Sequence, residues 1–138
     1  MTPHQIDLVE TTLASLDVAT LASDFYRRAF ERDPALTSMF TSPPEVQQRR
    51  FAAELAEIIN SIRTMESFTA RTKVLGAWHD GRGVHAMHYR FMGEVLLQSL
   101  EAVAGDAWSD EAAAAWRLAY DLTAEAMMTG ALQSRCSD

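Results

Sequence analysis

With 138 residues and a mass of 15.3 kDa, the chain is long enough for one domain, residues 1–138, with a sizeable core and, if helical, an enclosed pocket, but not for a second domain. Twelve basic residues against 19 acidic ones give a net charge of −7, which argues against nucleic acid or an anionic membrane surface as a partner. Cys136 is the only cysteine, and the chain shows neither a basic-then-apolar leader nor about 18 consecutive apolar residues, so the expectation is a soluble cytoplasmic protein without disulfides or a cysteine-rich metal site.

The segmentation predicts helices throughout. Thr2-Pro3-His4-Gln5 offers an N-cap, a proline in the first turn and a capping-box glutamine, followed by Ile6, Leu8, Val9, Leu13 and Leu16. Asp17 caps a second helix to about Arg32, with Leu21, Phe25, Ala29 and Phe30 on its inner stripe. Asp33-Pro34 restarts the chain as a short helix ending near Met39-Phe40. Ser42-Pro43-Pro44-Glu45 reads as another cap, opening a long helix to about Ile62 through Phe51, Leu55, Ile58 and Ile59.

A polar turn from Arg63 to Ser67 leads to a helix that ends at His79, where Gly81 and Gly83 free the backbone to turn. The next helix spans about His85 to Val103 and is closed by Gly105. Ser109-Asp110-Glu111 starts the final helix, which passes Trp116, Tyr120 and Met127 before a polar tail from about Gln133. About seven unequal helices joined by short turns imply a folded-over all-α globule rather than an up-and-down bundle.

Four histidines are present. His79 sits in the run Leu75-Gly76-Ala77-Trp78-His79-Asp80-Gly81-Arg82-Gly83-Val84, a single imidazole at a helix end, and a neutral imidazole on a helix suits an iron ligand. His4 lies in the first turn. His85 and His88 share one face of the next helix, but no carboxylate or cysteine converges on them, and a solvated face is the better reading.

The landmarks in order are Phe25-Tyr26, Asp33-Pro34 before Phe40, Gln47-Gln48-Arg49-Arg50-Phe51, Leu75 to Val84, His88-Tyr89, Gly105-Asp106, and Trp116 with Tyr120. In order and spacing, over nearly the whole chain from about Ile6 to Met128, they resemble the globins. The resemblance is to the bacterial single-domain haemoglobins, which are similar to the globin portion of flavohaemoglobins. It implies a globin fold around a haem b pocket, with His79 as the proximal iron ligand and Phe40 wedged on the haem plane. Tyr26 and Gln47 would be the distal donors to a bound gas, Phe51 the apolar distal wall, and Arg50 a rim residue facing a haem propionate. Leu75, Val84, Tyr89, Met92 and Trp116 would be proximal-side contacts, although core packing accounts for the larger part of that apolar stripe.

One position departs from the flavohaemoglobin pattern. The glutamate that, with the tyrosine matching Tyr89, strengthens the proximal histidine as a donor is replaced by Ala131. An alanine accepts no proton, so the imidazole hydrogen must go to a backbone carbonyl or water, or Tyr89 must serve alone. Reversible binding of O2, with NO and CO as further ligands, is therefore a firmer implication than peroxidase-like chemistry. NO dioxygenation to nitrate would need an external reductase, since flavin and nicotinamide domains do not fit this length. The other readings are a haem-based gas sensor acting through a protein partner, and a helical domain that has lost haem.

Overall fold

The structure, a computed structural model, describes residues 1–136. Six α-helices carry the chain: α1 (Pro3–Ser15), α2 (Val18–Arg32), α3 (Pro44–Ser61), α4 (Met65–Gly81), α5 (Ala86–Ala104) and α6 (Asp110–Cys136). A 3-10 helix, Pro34–Met39, joins α2 to α3, and a 3-10 turn, Gly105–Ala107, joins α5 to α6. No strand occurs among the described residues, and none of their helices is long and apolar enough to cross a membrane.

Most starts follow the capping chemistry of the sequence. The Thr2 hydroxyl accepts from the Gln5 amide while the Gln5 side chain takes the Thr2 N–H; the Asp17 carboxylate accepts from Ala19 and Thr20; and the Ser109 hydroxyl accepts from Ala112. Three expectations are corrected. Ser42 does not cap α3: Pro43 holds that position without a side-chain bond, and the Ser42 hydroxyl accepts from Arg50 instead. The helix carrying His79 begins at Met65, inside the segment read as a polar turn, because Thr64 already has the extended backbone of an N-cap. Finally, α6 runs through Gln133 to Cys136 where a polar tail was expected; Ser137 and Asp138 lie outside the described residues. Polar residues without a glycine or proline simply continue a helix whose preceding turns are packed.

A core of Val9, Leu21, Phe25, Tyr26, Ile59, Val95, Leu96, Leu100 and Trp116 draws on α1, α2, α3, α5 and α6. On its far side α4 crosses α6 with the backbones in contact. A methyl group at Gly76 would meet the Met127 carbonyl oxygen at 2.0 Å, and one at Gly130 would meet the Lys73 Cα at 2.6 Å. Two glycines thus let the helices approach to backbone distance, which sets the roll of α4 about its own axis. Ion pairs add local ties: Arg63 reaches Asp7 and Glu10 on α1, and Arg71 reaches Glu54 on α3 at 3.1 Å. Exposed pairs of this kind contribute little each.

Gly76→Ala is therefore expected to destabilise the chain by about 2 to 3 kcal/mol through overpacking, read as a lowered urea midpoint at unchanged slope. Gly81→Ala, whose added methyl meets nothing within 4 Å, serves as the comparison and should leave the midpoint unchanged or slightly raised. Equal midpoints for both variants would contradict the backbone contact.

Candidate functional site

His79 lies in the last turn of α4, half-buried. Its carbonyl accepts from the amides of Arg82 (3.0 Å) and Val84 (3.1 Å), so the chain folds back around it into α5, and Gly83 makes that turn in the left-handed region at φ 82°. The ring Nδ1 is 2.8 Å from the Leu75 carbonyl oxygen. A carbonyl only accepts, so Nδ1 carries the hydrogen and Nε2 keeps its lone pair. Nε2 has no hydrogen-bond partner among the described residues. Burial pushes the imidazole pKa below the usual histidine range, opposed in part by the Leu75 carbonyl and the Glu54 charge, which keeps the ring neutral at neutral pH.

Elsewhere, α2, α3 and the first 3-10 helix supply an aromatic cluster. Tyr26, only 6 % exposed, packs edge-on against Phe25 (5.1 Å), Phe40 (5.4 Å) and Phe51 (5.6 Å). Phe51 in turn stacks on Phe25 at 4.5 Å, and Phe40, at the end of the first 3-10 helix, packs on Phe30 at 5.5 Å. Gln47 Nε2 donates to the Tyr26 hydroxyl oxygen at 3.0 Å. Because that oxygen is the acceptor, the phenolic hydrogen stays available for another acceptor. The structure thus joins Tyr26, Gln47, Phe40 and Phe51 into one group. Arg50 is exposed and spends its guanidinium on Ser42 at 3.1 Å.

On the α4 and α5 side, Leu75, Val84, Tyr89 and Met92 are half-buried, with the Tyr89 ring centroid 6.3 Å from that of His79. Trp116 is instead sealed in the main core at 2 % exposure, its indole Nε1 without a partner among the described residues. The remaining histidines have local roles. His4 faces Glu111 at 3.3 Å on the surface, and His88 Nδ1 accepts the His85 amide at 2.8 Å at the start of α5.

Tyr120, in the sequence no more than a landmark of the final helix, has a packing role in the structure. Its hydroxyl donates to the Tyr89 carbonyl, and it lies so close to α5 that a methyl group at Gly93 would meet its ring at 2.4 Å. Gly93 and Tyr120 are 27 positions apart, so no local periodicity could show that one makes room for the other. Ala131 is buried, and the imidazole hydrogen goes to the Leu75 carbonyl, the backbone acceptor that an alanine at that position calls for.

Fold and site together define a class of protein: an all-α domain with a neutral imidazole near the end of one helix and an aromatic-lined phenol on another. A model of the globin family matches residues 23–127, and the chain belongs to that family. It is 34% identical over 99 residues to a flavohemoprotein of Rhizobium meliloti, a match covering 70% of this chain and 25% of that protein. A leghemoglobin of Vicia faba is 29% identical over 114 residues, covering 75% of this chain and 78% of its own length. Among solved structures, an engineered carbene transferase from Rhodothermus marinus superposes with a TM-score of 0.87 at 26% identity, over 99% of this chain and 97% of its own. The chain spans a quarter to a third of the length of the flavohemoproteins it matches.

Tyr26, Tyr89 and Tyr120 are the only three tyrosines, and burial raises the phenol pKa of each, that of Tyr89 to about 12. Folded values above the unfolded one mean that the unfolded chain releases its phenolic protons first. Stability is therefore full below about pH 10 and declines as pH rises beyond it. Phenolate absorbance should appear at higher pH than for a free phenol and together with loss of helical circular dichroism. Ionisation near pH 10 with the helices intact would contradict the burial.

Proposed function

We propose that the chain is a haem b protein that reversibly binds O2, and also NO and CO, at an iron held by His79. The observation that carries this reading is the imidazole itself: neutral, with Nδ1 anchored on Leu75 and a free lone pair on Nε2. The donor set fits haem. One nitrogen ligand is oriented by a hydrogen bond at its other nitrogen, and Phe40, Phe51, Leu75, Val84 and Met92 are left half-covered while Leu21, Val95 and Leu100 are sealed. Such residual apolar surface suits a large flat apolar group.

Haem bound there would supply an iron that coordinates diatomic gases and moves negative charge onto O2. The remaining work falls to the chain. Tyr26, its oxygen engaged by Gln47 and its hydrogen free, would donate to a bound gas ligand; such a bond is worth about 1.5 to 3 kcal/mol, or roughly ten- to a hundredfold in retention. Phe51 and Phe40, packed edge-on against the Tyr26 ring, would exclude water and confine the ligand. His79, hydrogen-bonded to a main-chain carbonyl rather than to a carboxylate, remains an ordinary imidazole donor, which favours reversible binding over peroxidase-like chemistry. Conversion of NO to nitrate belongs to the same reading, with a reductase outside the globin domain restoring the iron. The Rhodothermus marinus protein behind the engineered carbene transferase, assigned as a nitric oxide dioxygenase, supports it.

Absorption spectra of the ferric, ferrous and CO forms test the assignment. The wild type should show a single imidazole-ligated haem, and His79→Gly should lose those spectra and regain them with added imidazole; haem spectra identical in the variant would remove His79 from the role. In stopped flow, Tyr26→Phe should release O2 roughly ten- to a hundredfold faster. Mixing the O2-loaded wild type with NO should give nitrate and ferric protein at once, and no nitrate would end the dioxygenase reading.

A further inference from the structure

Two helix faces that carry site residues are joined at one end by charge. Along α3, Gln47, Phe51 and Glu54 follow one another at four- and three-residue spacing; along α4, Arg71, Leu75 and His79 do so at four-residue spacing. Each set therefore shares one side of its helix, and every member is half-buried. The last residue of the α3 set meets the first of the α4 set. Arg71 Nη1 donates to both carboxylate oxygens of Glu54, at 3.1 and 3.3 Å, and its Nη2 donates to Glu57 at 3.4 Å. Among the described residues these are the only ion pairs between α3 and α4.

A carboxylate one turn beyond Phe51 departs from the apolar character of its neighbours on that face. Its charge reaches the far end of the α4 set, where it opposes the effect of burial on the His79 imidazole. Glu54 and His79 are thus within electrostatic range of one another, although they stand on different helices. One guanidinium serves two carboxylates there, so the α3 side of the pair keeps an excess of negative charge. A different side of α4 is fixed against α6 at Gly76, which leaves the Arg71 pairs as its charged tie to α3.

We propose that Arg71 is a positioning residue: by clasping Glu54 and Glu57 it closes one end of the haem slot between α3 and α4 and offsets the carboxylate charge that α3 brings there. A flat group seated between two helices escapes when they part, and a tie across one end of the slot opposes that local opening. A planar guanidinium suits the task, since it reaches two carboxylates at once and fixes direction as well as distance. To folding, such half-exposed pairs contribute little, so the effect falls on what the slot holds. Charge adds a second effect. An unopposed carboxylate favours the more positive ferric haem over the ferrous, and the guanidinium reduces that preference. This inference rests on the haem reading above.

The test measures, on the haem-loaded full chain, loss of ferric haem to excess apomyoglobin, the reduction equilibrium and the urea midpoint. Arg71→Gln and Glu54→Gln should each lose haem about threefold faster than wild type, and the double variant no faster than Arg71→Gln alone. The ratio of ferrous to ferric protein at a fixed potential should move in opposite directions, about twofold down in Arg71→Gln and about twofold up in Glu54→Gln. A merely structural role would not separate the two signs. Urea midpoints should stay near that of wild type. Arg63→Gln, which breaks a comparably exposed tie to α1, should change neither haem loss nor the ferrous ratio. Wild-type haem loss in Arg71→Gln, equal acceleration in Arg63→Gln, shifts of one sign in the two charge variants, or midpoints that fall in step with haem retention overturn the proposal. Failure of the haem reading looks different: the wild type itself then shows no haem spectrum, and amide exchange of the haem-free chain decides the clasp. Exchange from Leu75 to His79 should be about threefold faster in Arg71→Gln than in Arg63→Gln, and equal rates overturn it.

Discussion

Contact between the backbones of α4 and α6 is the constraint on which the remainder depends. At Gly76 and Gly130 there is no room for a single methyl group, so the two helices have one depth of approach and α4 has one roll. His79 is three residues beyond Gly76, and its direction follows from that roll. The Leu75 carbonyl, one turn back along the same helix, then fixes the ring about its own axis through Nδ1. The His79 imidazole is placed by tight packing first and by one hydrogen bond second.

The two sides of the site are built differently. On the α2 and α3 side, Tyr26 is held by rings: four phenylalanines meet it or one another edge-on or stacked, and only Gln47 touches its hydroxyl. Aromatic pairs of this kind are each worth about 0.5 to 1.5 kcal/mol beyond the area they bury, so the phenol is positioned without using up its hydrogen. On the α4 and α5 side the ties are polar and pass through the main chain, from Tyr120 to the Tyr89 carbonyl and from His79 to the Leu75 carbonyl. With alanine at position 131, no carboxylate takes the imidazole hydrogen, and the electronic character of His79 is that of an imidazole bonded to a peptide group.

Electrostatics divides the molecule as well. The chain is acidic as a whole, yet the stretch from residue 67 to 93 around His79 holds more basic than acidic residues. Inside, the reverse economy holds: burial keeps His79 neutral and the three phenols protonated, so the interior carries little charge of its own.

Much of the fold was legible in the sequence because its signals are local. Caps at Thr2, Asp17 and Ser109, the prolines after Asp33 and Ser42, and the glycines after His79 act through hydrogen bonds and backbone sterics within a few residues. Where a local signal was ambiguous the reading slipped, as at Ser42, at the start of α4 and at the end of α6, since there tertiary packing and not the cap decides how far a helix runs. The sequence by itself thus determined the helical order and, through the order of its landmarks, the globin family, with Tyr26, Gln47, Phe40 and His79 as candidate site residues. Only the tertiary structure decided that Tyr26 and Gln47 share a hydrogen bond and that Gly93 yields to Tyr120. Both are contacts between residues on different helices, more than twenty positions apart in the chain, and such a contact leaves no periodic trace in the sequence.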